Sequence, residues 1–132
     1  MPAQLPQEDE QDDNTEVTWE DQQRINTFSK LNTRLSGIKE KIEVLKVEKE
    51  ALDDISMELE LADEEEPVMY KIGDAFIHMP YSRATKRLEK DLSSLNDELG
   101  KCNSSAENCE KTMKELKVAL YAKFGRAINL DE

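Results

Sequence analysis

The chain has 132 residues and a net charge of −12, with 36% charged and only 5% aromatic residues. That is the length of one ordinary domain, but too few bulky side chains for a large globular core. The acidity argues against nucleic acid, whose phosphates would repel it, and against anionic membranes.

Abundant Glu, Lys and Leu, with four Gly and four Pro, point to long helices. No apolar run approaches the roughly 20 residues needed to span a bilayer. The start, MPAQLPQEDEQDD, has neither the basic nor the apolar region of a secretory signal. A cytoplasmic or nuclear protein is expected. In residues 1–16, Glu8, Asp9, Glu10, Asp12, Asp13 and Glu16 stand with no Lys or Arg and almost no apolar residue. Such a segment cannot bury enough surface to fold, so it reads as a disordered acidic tail.

The character changes at VTWED. Thr18 suits an N-cap, and Glu20 and Asp21 suit the positive end of a helix. Alternate steps of three and four from Phe28 pass through Leu31, Leu35, Ile38, Ile42, Leu45, Lys49, Leu52, Ser56 and Leu59. This narrow stripe is a coiled-coil seam, weakened at Lys49 and Ser56. The helix is expected over about 19–62. The acids 63–66 then meet the negative helix end, and Pro67 disfavours helix before it.

Residues 67–80, PVMYKIGDAFIHMP, break the pattern with a short β-prone stretch. Gly73-Asp74 fits a two-residue hairpin turn of type II′. In that register Ile72 faces Ala75, Tyr70 faces Ile77 and Val68 faces Met79, on one wholly apolar side. Met69, Lys71, Phe76 and His78 occupy the other. A lone hairpin is marginal in water, and its edges leave backbone groups unpaired. Pairing with a hairpin of another chain is expected; folding onto its own helix ends is the alternative.

The second helix is expected over about 82–124, with Ser82 as N-cap. Its seam, Leu88, Leu92, Leu95, Leu99, Cys102, Ala106, Cys109, Met113, Leu116 and Leu120, is apolar or small throughout. Lys123 in the last turn and Gly125 at C′ supply a stop. Cys102 and Cys109 would lie about 10 Å apart along one helix, beyond the roughly 4.4–6.8 Å of a disulfide; they read as small core residues. Two helices of nearly equal length, each about 65 Å, favour an antiparallel two-helix coiled coil with the hairpin at the bend. A continuous parallel dimer competes, against the evidence of the prolines.

The stretches VTWEDQQRINTF (17–28), ELADEEE (60–66), YKIGDAFI (70–77) and LKVALYAKFGRAINL (116–130) carry a resemblance to prefoldin, in its β-type subunit. The resemblance implies a prefoldin-type coiled coil over 17–130, between an acidic tail, 1–16, and a short C-terminal tail, 125–132. It implies a hexamer of two α-type and four β-type subunits, so that this chain has two α-type and three further β-type partners. It also implies an ATP-independent holdase, which takes nascent actin and tubulin to the cytosolic chaperonin. Assembly would then use the hairpin residues Val68, Met69, Tyr70, Ile72, Gly73, Asp74, Phe76 and Ile77.

An antiparallel hairpin brings both helix ends together away from the bend. Val17, Trp19, Ile25, Tyr121, Phe124, Ile128 and Leu130 would gather there as an apolar, client-binding tip. Stapling of the helix ends is the other reading of these residues, and the favoured one for Phe28 and Leu120. A structural adaptor for one defined partner remains the alternative function. No cofactor or metal is expected, since the chain has no P-loop, no zinc spacing and a single histidine, His78. No nucleophile with a positioned base is present, so no enzymatic activity is expected.

Overall fold

The computed structural model describes residues 16–125. Helix α1 runs Trp19–Leu61, strand β1 Val68–Ile72, strand β2 Ala75–Met79 and helix α2 Tyr81–Phe124. The described residues divide into two compact units, 16–39 with 104–125, and 40–103.

In the first unit, Ile25 and Phe28 of α1 bury against Leu120 and Phe124 of α2, with Met113, Leu116 and Tyr121 packed beside them. The start of α1 meets the end of α2, so the helices are antiparallel here. Burying each such side chain contributes roughly 1.5–3 kcal/mol before the entropy of ordering it. Leu35, Ala106 and Cys109 continue the buried stripe. The N-terminus of α1 carries a reciprocal cap: the Asp21 N–H donates to Thr18 Oγ1, and the Thr18 N–H donates to Asp21 Oδ2, both at 3.1 Å. Each bond satisfies a backbone donor that a helix start leaves without an intrahelical partner. At the other end Gly125 has φ 59°, the left-handed conformation that glycine adopts without a Cβ penalty.

The second unit holds the hairpin. Its strands pair antiparallel in the register Val68↔Met79, Tyr70↔Ile77, Ile72↔Ala75, as the turn chemistry predicts. Gly73 has φ 61° and, among the described residues, no non-glycine residue has positive φ, the pattern of a II′ turn. Around it, Ile55 and Leu59 of α1 and Ala84 and Leu88 of α2 bury Tyr70 and Met79. Leu45, Leu95 and Cys102 carry the stripe along the helices of this unit.

Three expectations about the elements change. The α1 seam uses Ile55 in place of Ser56, one position earlier, because Ile55 can pack beneath the hairpin. Helix α1 ends at Leu61, and residues 63–66 form a turn in which Asp63 accepts the Glu65 N–H at 2.9 Å and the Glu66 N–H at 3.1 Å. Helix α2 starts one residue before Ser82, and Pro80 carbonyl accepts the Ala84 N–H at 2.9 Å. Pro80 therefore occupies the capping position, where its missing N–H costs nothing. Cys102 and Cys109 are buried free thiols.

Candidate functional site

Two surfaces follow from these elements, one in each unit. On the hairpin, side chains alternate between two faces. The face bearing Tyr70 and Met79 was expected to await another chain. Tyr70 and Met79 are instead buried by the protein's own helices, Tyr70 being 0% exposed, while Ala75 and Ile77 on that face stay open. The last turns of α1 and the first turns of α2 together make a wide enough apolar wall, which a single helix would not. Tyr70 is thus a core residue and not a free assembly contact; Val68 and Ile72 are partly buried against the same cluster. Gly73, Asp74 and Ala75 are exposed at the turn.

Beneath Tyr70 lies a polar anchor. Its hydroxyl donates to Asp91 Oδ2 at 2.8 Å, and Arg87 Nε donates to the two oxygens of Asp91 at 3.0 and 3.1 Å. Burial first, and then the bond to the Asp91 carboxylate, pushes the Tyr70 phenol pKa up, since both disfavour a phenolate.

The opposite hairpin face points outward. Phe76 is 60% and Met69 48% exposed on it; Ile77, across from Tyr70 on the inward face, is also open. Lys71 and His78 share that face with Phe76 and Met69 and are exposed too. Both strands end the sheet, which has two strands only among the described residues. Each therefore offers one row of backbone donors and acceptors to a further strand.

In the first unit Trp19 is 71% exposed and Val17 is also open. Ile25 and Phe124, expected on the same exposed patch, are buried in the local core. They close the helix pair, and Tyr121 packs half-buried against them. Ile128 and Leu130 lie outside the described residues.

Sequence reasoning missed how these helix ends are held. Asp21 is only 2% exposed. Its carboxylate accepts from Lys123 across the helix pair and from Arg24 Nη1 at 2.9 Å. The signal was available: continuing the two seams past Phe28 and Leu120 by the same count places Asp21 and Lys123 on seam positions. A charged pair there is satisfied only when α1 and α2 meet in one register. The hydrogen bond from Lys123, followed by those within the cap, lowers the Asp21 pKa from 3.8 to about 2 despite its burial.

A folded-state pKa below the unfolded value adds stability that is present above pH 3.8 and lost as pH falls towards 2. Acid titration followed by circular dichroism is therefore expected to show a loss of helix stability between these values. In Asp21→Asn that component is absent. Parallel wild-type and variant curves throughout this range would refute the role of the pair.

Among the described residues no group of three potential metal ligands converges, and no helix is long and apolar enough to cross a membrane. No buried side-chain nitrogen or oxygen among them lacks a hydrogen-bond partner.

Comparison with known proteins gives the arrangement its context. A solved prefoldin beta subunit from Thermococcus strain KS-1 superposes with a TM-score of 0.70, covering 82% of this chain and 95% of that one, at 13% identity. That likeness concerns the fold. A family model described as prefoldin subunit matches residues 22–127. Prefoldin subunit 4 of Saccharomyces cerevisiae is 47% identical over 121 residues, covering 92% of this chain and 94% of the yeast protein. Prefoldin subunit 4 of Homo sapiens is 39% identical, covering 87% of each. Because the family match runs through both units, and the yeast relative shares nearly half its residues along almost its whole length, the chain belongs to the prefoldin subunit family.

Proposed function

We propose that the chain is a β-type subunit of a hetero-hexameric chaperone that holds unfolded polypeptides without ATP. Its partners in that reading are two α-type and three further β-type prefoldin subunits. The observation that carries the assembly half is the outward hairpin face, where Phe76 and Met69 remain exposed although Tyr70 and Met79 on the opposite face are buried. An exposed aromatic beside an unpaired strand edge fits strand addition, in which backbone bonds give affinity and side chains give selectivity.

The client half rests on Trp19 and Val17 in the other unit. Apolar contact is non-directional, so such groups can take many unfolded sequences. Several weak contacts from several subunits would give useful and reversible avidity. Nascent actin and tubulin are the proposed clients, the cytosolic chaperonin the proposed recipient, and the cytoplasm the proposed compartment. The family is one of chaperone components, and the chain is assigned no catalytic role.

Native mass spectrometry of the chain mixed with candidate partner subunits tests the assembly. One copy in a hexamer is the expected result. A stable homodimer that ignores the partners would sink the proposal. Suppression of client aggregation by the hexamer without nucleotide tests the holding step; a complex that assembles but suppresses nothing would favour a structural adaptor.

A further inference from the structure

The first unit has the opposite charge balance to the chain as a whole. Residues 16–39 and 104–125 carry eight Lys and Arg against six Asp and Glu, in a protein of net charge −12. A shallow groove in this unit has Phe28, Leu35 and Met113 in its floor and Lys111, Lys114 and Lys117 along it. The three lysines recur every three residues, so they follow one side of α2. Glu110 is the one acid lining the groove. Lys117 also lies over the Tyr121 ring, 5.7 Å from its centre.

Residues 1–15 lie outside the described residues. They contain Glu8, Asp9, Glu10, Asp12 and Asp13 and no Lys or Arg, and they join this same unit at Glu16. At about 1.5 Å per helical residue, Phe28 and Leu35 stand about 14 and 24 Å along α1 from Trp19. An extended chain covers about 3.3 Å per residue, which lets Glu8 stand up to about 26 Å from Glu16. Reach and charge therefore agree.

We propose that the acidic segment 8–13 folds back onto this groove and pairs with Lys111, Lys114 and Lys117. Each exposed ion pair contributes only about 0–1 kcal/mol. The tether compensates, because it holds the segment near the groove at an effective concentration in the millimolar range. A second copy of the chain is a poorer occupant, since two bodies of net charge −12 repel. The docked segment competes with acidic stretches of other polypeptides for the same lysines. That consequence rests on the client-holding function proposed above; the docking itself does not.

Zero-length carbodiimide cross-linking of the full chain, alone and assembled with its partner subunits, tests the docking by peptide mass spectrometry. Segment 8–13 is expected to link to Lys111, Lys114 or Lys117 about fivefold more often than to Lys30 or Lys39 of the same unit. Most of that yield is lost between about 0.05 and 0.5 M salt, as the screening length falls from about 14 to about 4 Å. In Lys111→Glu/Lys114→Glu, the link to the remaining Lys117 drops by about fivefold, since like charges now flank it. An even spread over all lysines, a yield indifferent to salt, an unchanged Lys117 link in that variant, or links formed only between differently isotope-labelled chains would each overturn the proposal. None of these readouts involves a client, so loss of client holding leaves them unmoved.

Discussion

Tyr70→Ala is expected to destabilise the protein by about 3–5 kcal/mol, the range for removing a buried aromatic ring and leaving a cavity. Tyr70 is fully buried among Ile55, Leu59, Met79, Ala84 and Leu88. Collapse around the hole is hindered because its walls come from three elements whose backbones are fixed by their own hydrogen bonds. Tyr70→Phe keeps the ring and removes only the bond to Asp91, which still holds Arg87. Its cost is about 1 kcal/mol. Urea midpoints followed by circular dichroism separate the two variants, and equal midpoints would show that the ring is not a core element. The phenol adds a second signature. Its folded-state pKa lies above the ordinary 10.0, so its contribution is complete below that pH and declines as pH rises through the elevated value. An alkaline loss beginning above pH 10 is expected in the wild type, with this component missing from Tyr70→Phe.

Phe76→Asp is expected to reduce incorporation into the hexamer by about 30-fold or more, the effect of losing an aromatic anchor of about 2 kcal/mol or more. Met69→Asp on the same face acts in the same direction and more weakly, since methionine adapts to more than one packing. Both side chains are exposed in the chain itself, so the thermal midpoint of the isolated subunit moves little; such surface changes usually stay within about 0.5 kcal/mol. Competition between wild-type and variant chains for limiting partner subunits, read by native mass spectrometry, gives the ratio directly. Equal incorporation at unchanged stability would remove this face from the assembly surface. The pair of results would also divide the hairpin into two faces with separate tasks, Tyr70 inward for folding and Phe76 outward for joining.

The division was only half visible beforehand. The register of the hairpin followed from Gly73-Asp74, because few residue pairs suit a two-residue turn and the turn dictates every facing pair after it. That alternation put Tyr70 and Phe76 on opposite faces. It did not say which face the helices would cover. The more apolar face reads as an open socket, and packing uses its Tyr70 and Met79 as core. A similar inversion occurred at the helix ends, where apolar type alone grouped Ile25 and Phe124 with Trp19. All three are large and apolar, but Ile25 and Phe124 lie between the helices, whereas Trp19 lies at the first turn of α1, beyond the close contact of the seam.

What the sequence determined by itself is local and periodic. Steps of three and four specify helices that must pair along one stripe, the Thr18 cap and Gly125 bound them, and Gly73 with Asp74 sets the hairpin between them. These follow from backbone geometry, which nearby residues suffice to constrain. What only the tertiary structure decided is the partnership of distant side chains. Asp21 with Lys123, and Tyr70 with Asp91 and Arg87, join residues that no single period connects, and their charges and hydroxyl are satisfied in burial because two elements arrive at one place. Exposure has the same origin: a side chain is left for another molecule only after the chain's own elements have taken what they can cover, and that remainder is a property of the assembled fold.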